Sequence, residues 1–299
     1  MSELRLPVIQ SNDPGQPPIF EKIAIVGLGL IGGSIALAAR KVWPRGLVIA
    51  VDRKDVLEQA MVKHAIDVAA DELYVIAEAD LVILAAPVRQ NIELLAQLGD
   101  ALQTPAVVTD VGSTKREMVD AARALPPRFT FVGGHPMGGA SRGGFEAARP
   151  DLFQGRPWLF TPQGDGAGQA IEKLYAFASA LGAKPHSMTA SHHDALLALI
   201  SHLPQLTASA LMSVIGSRAV DGLHLAGRGL VDTTRLSASP ADIWQDITAT
   251  NSDEIRRALD ALIDQLTALR IGLDEPDVIA DVFARAARFR AKLMEGREL

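Results

Sequence analysis

The chain has 299 residues, of which 48% are apolar, so it is long enough for two domains that each bury a core. A formal net charge of −6 argues against a nucleic-acid partner, and the lack of cysteine excludes disulfides, zinc–thiolate sites and a cysteine nucleophile. The sequence also suggests neither a signal peptide nor a membrane span, so we expect a cytoplasmic protein with no membrane partner.

The first predicted elements are a strand, a glycine turn and a helix. A flexible arm with several prolines is expected over residues 1–19, and a short β-branched strand over residues 21–27. Residues 27–34 then read G-L-G-L-I-G-G-S and lead into a helix, which is the context that a dinucleotide-binding turn requires. The predicted pyrophosphate contacts are Gly27, Gly29, Leu30, Ile31 and Gly32.

A second strand, over residues 47–52, ends in an acidic residue. Asp52 follows Gly32 by about 20 residues, the usual spacing for a carboxylate that binds the adenine ribose hydroxyls. The alternative is a helix-capping role for Asp52. A carboxylate there would repel a 2′-phosphate, so NAD is predicted, with NADP as the weaker alternative because Arg53 offers a positive charge. Pro87, after the strand over residues 80–85, is also assigned to the cofactor site.

Strands and helices continue to alternate up to residue 188. Strands are expected over residues 106–110, from residue 129, and over 158–161 and 183–186, with helices over 113–124 and 168–181. This alternation predicts an α/β fold: a Rossmann-type, doubly wound, mostly parallel sheet over residues 20–188. Ligands of such sheets bind beyond the carboxyl ends of the strands.

Two candidate catalytic residues lie at that edge. His135, in the glycine-rich segment 133–139, is placed to act as an acid or a base, although it could equally serve only to bond its own loop. Ser113, in T-D-V-G-S-T-K, is read either as the N-cap of the following helix or as a hydroxyl that faces the substrate.

From residue 189 the pattern changes to long helices. We expect an all-helical substrate and dimerisation domain over residues 189–299, with helices over 191–217, kinked at Pro204, over 239–270 and from about residue 275. Its apolar surfaces predict a homodimer. Arg235, on a loop between helices, either binds a substrate carboxylate or is a surface residue or one that pairs with Asp232. No metal is expected, since the histidine spacing fits no metal motif.

Five motifs in this order resemble the prephenate/arogenate dehydrogenase family of tyrosine biosynthesis, over residues 21–290. They are G-L-G-L-I-G-G-S, T-D-V-G-S-T-K, G-G-H-P-M-G-G, the segment H-D…S-H-L-P at 193–204, and G-L-V-D-T-T-R with Trp244. The resemblance implies NAD-dependent oxidative decarboxylation of prephenate or arogenate. It also implies that His135 is the base, that Ser113 orients the ring hydroxyl, and that Arg235 and His202 bind the substrate. His193, Asp232 and Trp244 are expected to support the pocket.

The sequence departs from the family pattern at two positions near the expected side-chain site. Ser141 lies in a stretch where many relatives have an acidic residue, and Gln205 stands where many have histidine. Both are assigned to substrate binding, and together they favour a broad cyclohexadienyl dehydrogenase. The alternatives are a β-hydroxyacid dehydrogenase, although this chain lacks lysine between Lys184 and Lys292, and a non-catalytic NAD-sensing protein.

Overall fold

One eight-stranded sheet organises the computed structural model, which describes residues 17–139, 143–164 and 167–295. The strands are β1 (Lys22–Val26), β2 (Leu47–Val51), β3 (Val68–Ala70), β4 (Leu81–Leu84), β5 (Ala106–Asp110), β6 (Phe129–Pro136), β7 (Pro157–Thr161) and β8 (Lys184–Ser187). Their order is β3-β2-β1-β4-β5-β6-β7-β8, and every pairing is parallel except that of β6 with β7. The predicted doubly wound, mostly parallel sheet is therefore confirmed.

Helices surround this sheet and make up the later part of the chain. The α-helices are α1 (Leu30–Val42), α2 (Lys54–Val62), α3 (Val88–Ala101), α4 (Arg116–Ala122), α5 (Gly168–Ala180), α6 (Ala190–Leu197), α7 (Leu203–Arg218), α8 (Arg228–Thr234), α9 (Ala241–Thr250), α10 (Ser252–Ile271) and α11 (Pro276–Glu295). Short 3₁₀ helices and one π-helical turn connect some of them.

The central strands β1, β2, β4 and β5 are buried on both faces, as expected for parallel strands, whereas the edge strands β3 and β8 are more exposed. Along β1, Ile23 and Ile25 pack into a core with α1, α2 and α5, while Ala24 and Val26 pack into a second core with α3 and α4. The alternation follows from the two-residue period of side chains along a strand. These two cores hold the carboxyl ends of the strands in fixed positions.

The chain divides into two compact units. One unit takes the chain up to Leu196 together with Ser239–Thr250, and the other takes Leu197–Ala238 with the chain from Asn251 onward. The first is called the sheet unit and the second the helical unit below. Helix α9 thus belongs to the sheet unit, although it lies within the range predicted as the helical domain. The predicted boundary after residue 188 stays a prediction.

Several predicted elements differ from the structure. The helix expected over residues 113–124 begins at Arg116, and the one expected over 239–270 is two helices that meet at Asn251. Strand β6 runs on to Pro136, so His135 lies in the strand and not in a loop after it. Strand β3 was not predicted.

The expected kink at Pro204 takes the form of a π-helical turn over Ala198–His202. Proline lacks a backbone N–H and cannot bond the carbonyl of Ile200, and a wider turn accommodates that loss. Contrary to expectation, the helical run over residues 190–218 has the length and hydropathy of a membrane span. The core helix of a globular protein has the same properties, so this run alone assigns no membrane contact.

Candidate active site

A cavity of about 790 Å³ opens at the glycine turn that follows β1. Gly27 and Gly29 line it, together with residues from the ends of β2 and β4 and the start of α3. Because these strands are parallel, their carboxyl ends meet at one edge of the sheet, which is where such folds bind ligands. The cavity therefore lies where the sequence predicts the dinucleotide.

The glycines shape this cavity through close backbone contacts. Gly27 has a φ of +98°, and a Cβ atom there would lie 2.8 Å from the backbone of Ala85. A Cβ atom on Gly32 would lie 1.9 Å from the carbonyl oxygen of Gly27. At Gly29, by contrast, a Cβ atom would meet no protein atom within 4 Å, so its absence leaves open space at the N-terminus of α1. That space is suited to a pyrophosphate.

Asp52 connects the second strand to the glycine turn. Its carboxylate accepts hydrogen bonds from the backbone N–H of Leu28, at 2.5 Å, and of Arg53, at 2.6 Å. Asp52 and Arg53 both line the cavity, along with Asp71 and Glu72. This part of the cavity has more acidic than basic side chains, which disfavours an additional phosphate group.

The remaining predicted cofactor residues lie close to the same turn. Pro87 lines the cavity and precedes α3. Leu30 and Ile31 form the first residues of α1, half-buried against the core, and are not among the lining residues of the cavity. Gly32 is buried behind them, where it permits the close approach of helix and turn.

A buried ion pair holds the loop after β5. Lys115 and Asp110 have fully buried side chains, and the Lys115 ammonium donates to Asp110 Oδ2. The same carboxylate accepts from the backbone N–H of Gly112, at 2.8 Å, and of Gly134, at 3.0 Å. Since Gly134 precedes His135, Asp110 joins the loop that carries Ser113 to the strand that carries His135.

His135 is the end of a chain of hydrogen-bonded side chains. Its Nδ1 lies 2.9 Å from Nε2 of His193, and Nδ1 of His193 lies 2.8 Å from Oδ1 of Asp194. His193 and Asp194 are fully buried, whereas His135 is 9% exposed. Both partners come from the first turns of α6, so the start of this helix fixes the imidazole at the end of β6.

Asp194 also holds the start of α4. Its carboxylate accepts from the backbone N–H of Lys115, at 2.8 Å, from that of Arg116, at 2.9 Å, and from Nε of Arg116, at 3.2 Å. Burial alone would raise the pKa of Asp194, but the hydrogen bonds from His193 and from these N–H groups outweigh it and lower the pKa. Asp194 is therefore a carboxylate at neutral pH.

Burial has the opposite effect on the two bases nearby. It lowers the pKa of His193, and the Lys115 ammonium adds to this effect against the hydrogen bond with Asp194. Burial also lowers the pKa of Lys115, which the Asp110 carboxylate counteracts. His193 is consequently a neutral imidazole near pH 7.

Ser113 is half-buried and precedes α4 by three residues. The helix begins at Arg116, and its N-cap is Lys115 without a side-chain hydrogen bond, so the reading of Ser113 as an N-cap is wrong. The N–H groups of this helix are met by Asp194 instead. The next residue, Thr114, is buried, and its hydroxyl lies 2.8 Å from that of Thr250 at the end of α9.

Helix α9 has a second anchor on the sheet unit. Asp246 accepts from the backbone N–H of Val88, at 2.6 Å, and of Arg89, at 3.4 Å. The first turn of α3 lacks a side-chain cap of its own, since Pro87 occupies the N-cap position. Asp246 supplies that cap from a segment far along the chain, next to the cavity that Pro87 lines.

The predicted substrate residues of the helical unit differ in their surroundings. His202 is buried in the π-helical turn, where its Nδ1 lies 3.4 Å from Nδ2 of Asn251. The Gln205 amide donates to the Leu236 carbonyl, at 2.7 Å, and to the Ser209 hydroxyl, at 3.3 Å. Gln205 thus fastens α7 to the short 3₁₀ helix that starts at Arg235.

Arg235 directly follows α8 and begins that 3₁₀ helix, so its predicted position on a loop is wrong. The Arg235 side chain is exposed, and within the described ranges it forms no ion pair with Asp232. The Asp232 carboxylate instead lies 3.9 Å from Nε of Arg228. The predicted substrate residue Ser141 lies outside the described residues.

The sequence did not reveal the roles of Lys115, Asp110 and Asp194. For Asp194, the adjacent polar pair His193-Asp194 in an apolar helix was a usable signal.

Comparisons with known proteins cover both units. Residues 35–186 match the family model described as the nucleotide-binding domain of prephenate dehydrogenase, and residues 189–285 match the model described as its dimerization domain. These two matches span most of the chain.

Similar proteins carry related names. A prephenate dehydrogenase of Bacillus subtilis (strain 168) is 35% identical over 86% of this chain and 71% of its own length. A cyclohexadienyl dehydrogenase of Zymomonas mobilis is 32% identical over 94% of this chain and 99% of its own. The crystal structure of A. aeolicus prephenate dehydrogenase in complex with hydroxyphenyl propionate and NAD⁺ is similar with a TM-score of 0.84, at 26% identity, covering 93% of this chain and 98% of that one.

Proposed function

The chain belongs to the prephenate dehydrogenase family, and from this premise we propose that it is a cyclohexadienyl dehydrogenase of tyrosine biosynthesis. It oxidises and decarboxylates prephenate or arogenate with NAD, giving 4-hydroxyphenylpyruvate or tyrosine. The observation that carries the proposal is His135, fixed by His193 at the end of β6 in the unit that holds the glycine-turn cavity. Because the chain belongs to this family, we favour this function over a β-hydroxyacid dehydrogenase and over a non-catalytic NAD-sensing protein.

The residues of the cavity fit NAD. Open space at Gly29 and the N-terminus of α1 accommodate the pyrophosphate, while Asp52 offers its carboxylate to the ribose hydroxyls. The acidic side chains Asp71 and Glu72 beside Asp52 support NAD over NADP. The bound cofactor supplies the oxidant of the reaction, since its nicotinamide ring accepts a hydride.

His135 is the proposed base. The ring hydroxyl of the substrate donates to the imidazole and loses its proton to it as the carbon–hydrogen bond on the same carbon breaks. The ring carboxylate then leaves as CO₂, its bonding electrons complete the aromatic ring, and the resulting phenolate oxygen takes a proton back from His135 or from water to give the phenol of the product. General-base help of this kind is worth about 10²–10⁴-fold in rate. Ser113, three residues before α4, orients the hydroxyl and His135.

Substrate carboxylates are bound by the helical unit in this proposal. Arg235 has an exposed guanidinium, which suits two-point binding of a carboxylate. His202 contributes a buried imidazole. Gln205 and Ser141 are the other proposed substrate residues, and Gln205 also positions the segment of Arg235. Neutral Gln205 and Ser141, at positions where many relatives have ionisable residues, support a site that accepts either a keto or an amino side chain.

A homodimer through the C-terminal helices is the proposed assembly. The matched dimerization-domain model ends within α11, and large apolar side chains of α10 and α11 are exposed. They are Ile263, Leu266, Phe283, Phe289 and Leu293. A second copy would also cover the apolar face of the helical run over residues 190–218, which would explain its hydropathy without a membrane contact. The proposed location is the cytoplasm.

The test is a steady-state assay of the purified chain with prephenate and with arogenate, each with NAD and with NADP. Formation of the reduced cofactor is followed by its near-ultraviolet absorbance, and CO₂ release is measured in parallel. Turnover of both substrates with NAD, with CO₂ and reduced cofactor in equal amounts, is the expected result. Turnover of neither substrate would overturn the proposal, and turnover of one alone would restrict it to that substrate.

A further inference from the structure

His193 and Asp194 lie behind His135 in a fully buried position, and the proposed reaction gives them no direct contact with the substrate. The three side chains form one line of hydrogen bonds, from Asp194 Oδ1 through both ring nitrogens of His193 to Nδ1 of His135. Each bond in this line has to have one donor and one acceptor, so the protonation of one group determines that of the next.

In the bond between Asp194 and His193, the carboxylate is the acceptor. The Asp194 carboxylate accepts two backbone N–H groups and the Arg116 Nε–H, which are all donors. A carboxylate with these partners is an acceptor toward His193 as well. Nδ1 of His193 therefore carries a proton and donates it to Asp194.

The second bond joins the two imidazoles. The charged groups that act on His193 are the Lys115 ammonium and the Asp110 and Asp194 carboxylates, and the Arg116 guanidinium is bonded to Asp194. Burial has the largest effect on the pKa of His193 and, together with the Lys115 ammonium, outweighs the two carboxylates, so His193 is neutral. Nε2 of His193 then has a lone pair and accepts from His135, so the proton of neutral His135 is on Nδ1.

We propose that His193, oriented by Asp194, is a positioning residue that fixes His135 in the tautomer whose Nε2 lacks a proton and acts as the base. The opposite orientation would protonate His135 on Nε2, where it could donate a hydrogen bond but not receive a proton. The same contact stabilises His135 after it has taken the proton, since its Nδ1–H still faces the His193 lone pair. The inference rests on the proposed function only for the identity of the base.

The decisive experiment is nitrogen NMR of the full-length protein with labelled histidine rings, near neutral pH and without substrate. The His135 signals are assigned by their loss in His135→Asn. A protonated Nδ1 and an unprotonated Nε2 on His135 are expected. A proton on Nε2 of His135 in the wild-type protein would overturn the inference, while the proposed function would still stand on the turnover assay.

Two variants test the coupling. In Asp194→Asn an amide N–H₂ that faces Nδ1 of His193 reverses both tautomers and lowers kcat by about 10²–10⁴-fold with a smaller change in KM. An amide oxygen in that place preserves both tautomers, and the NMR signals distinguish the two orientations. In His193→Gln the amide oxygen can accept from Nδ1 of His135, so the tautomer and most of kcat are retained. An Asp194→Asn protein with a reversed His135 tautomer and wild-type kcat would contradict the inference.

Asp194 also holds the start of α4, so Asp194→Asn could fail to fold. His193→Leu then provides the loss variant, since it removes the acceptor without disturbing the backbone contacts of Asp194; it is expected to give mixed His135 tautomers and a lower kcat. His192→Gln is the matched control, because His192 is exposed on the same helix turn. It should leave both the NMR signals and the kinetics unchanged.

Discussion

The sheet unit and the helical unit differ in how completely they bury their apolar side chains. Strand β4, Leu81–Leu84, is fully buried, and helices cover both faces of the sheet. In α11, by contrast, Phe283 is 69% and Phe289 63% exposed. One unit thus completes its core from its own chain, while the other leaves apolar area that costs free energy in water. The helical unit is therefore the part that the second copy of the proposed homodimer would cover.

The polar residues show the same contrast. In the sheet unit, His135, His193, Asp194, Asp110 and Lys115 are buried and hydrogen-bonded to one another, which fixes their geometry before any ligand binds. In the helical unit the guanidinium of Arg235 is exposed. The groups of the proposed chemical step are therefore preorganised, whereas the exposed guanidinium of the proposed carboxylate contact loses conformational entropy when substrate binds.

The largest expected effect comes from removing the base. His135→Asn should lower kcat by about 10²–10⁴-fold, because the amide cannot take a proton. Binding of NAD, measured by calorimetry, should be retained, since His135 does not line the glycine-turn cavity. Near-normal turnover in this variant would remove His135 from the chemical step.

The buried ion pair gives the next largest effect. Lys115→Met should lower the free energy of unfolding by about 3–5 kcal/mol, because it leaves the Asp110 carboxylate buried without its cation. Urea unfolding followed by circular dichroism measures the loss. The double variant Asp110→Asn/Lys115→Met is the control and should recover part of it. A loss no larger than that of a surface substitution would show that the pair contributes little.

Arg235→Ala tests the exposed guanidinium. We expect KM for prephenate to rise by about 10–100-fold, as for the loss of a charge-assisted hydrogen bond, with a smaller change in kcat. Arg228→Ala is the matched control, since Arg228 is exposed on α8 and pairs with Asp232. An unchanged KM in Arg235→Ala would assign this arginine a purely structural role.

A charged substitution tests the apolar surface of α11. Phe283→Asp should weaken the proposed dimer by about 10–100-fold in dissociation constant, since burial of one aromatic side chain contributes about 1.5–3 kcal/mol. Light scattering after size exclusion, at several concentrations, measures the shift toward monomer. Val62→Asp, at an exposed apolar position of α2 in the sheet unit, is the control. A variant that dimerises like wild type would place the interface elsewhere.

The smallest expected effect concerns cofactor choice. Asp52→Ser should reduce the preference for NAD over NADP by about tenfold, because it removes one of several acidic groups near the ribose. The ratio of kcat/KM with the two cofactors measures this change. Asp71→Ser offers a comparison, since Asp71 lines the same cavity without bonding the glycine turn. A preserved ratio in both variants would refute the electrostatic explanation.

Much of the sheet unit could be predicted because its signals are local. The turn at residues 27–32 and the acid at Asp52 lie in one strand–turn–helix–strand segment, so spacing alone relates them. The partners of His135 could not be found in this way. His193 is 58 positions away, and Asp194 is 79 positions from Lys115, so only folding brings them together.

Local sequence signals also failed where a residue far along the chain takes the place of a local helix cap. Ser113 resembles an N-cap, but Asp194 meets the N–H groups at the start of α4, and the helix begins later. Asp246 does the same for α3. In the helical unit, the single helix predicted over residues 239–270 breaks at Asn251, where α9 ends with the sheet unit and α10 begins the helical one. Apolar residues at helical spacing predict a helix, but they do not show whether each helical turn belongs to the sheet unit or to the helical unit.

Because α9 belongs to the sheet unit, this unit consists of two separate stretches of chain and is not encoded by one continuous gene fragment. A gene fragment that stops at residue 188 encodes every strand of the sheet, yet it omits the histidine that meets His135 and the carboxylate that caps α3. Such a fragment would carry the dinucleotide cavity with a misaligned imidazole and a frayed helix end beside it. Exchanging this half between relatives requires transplanting two separate stretches of chain together.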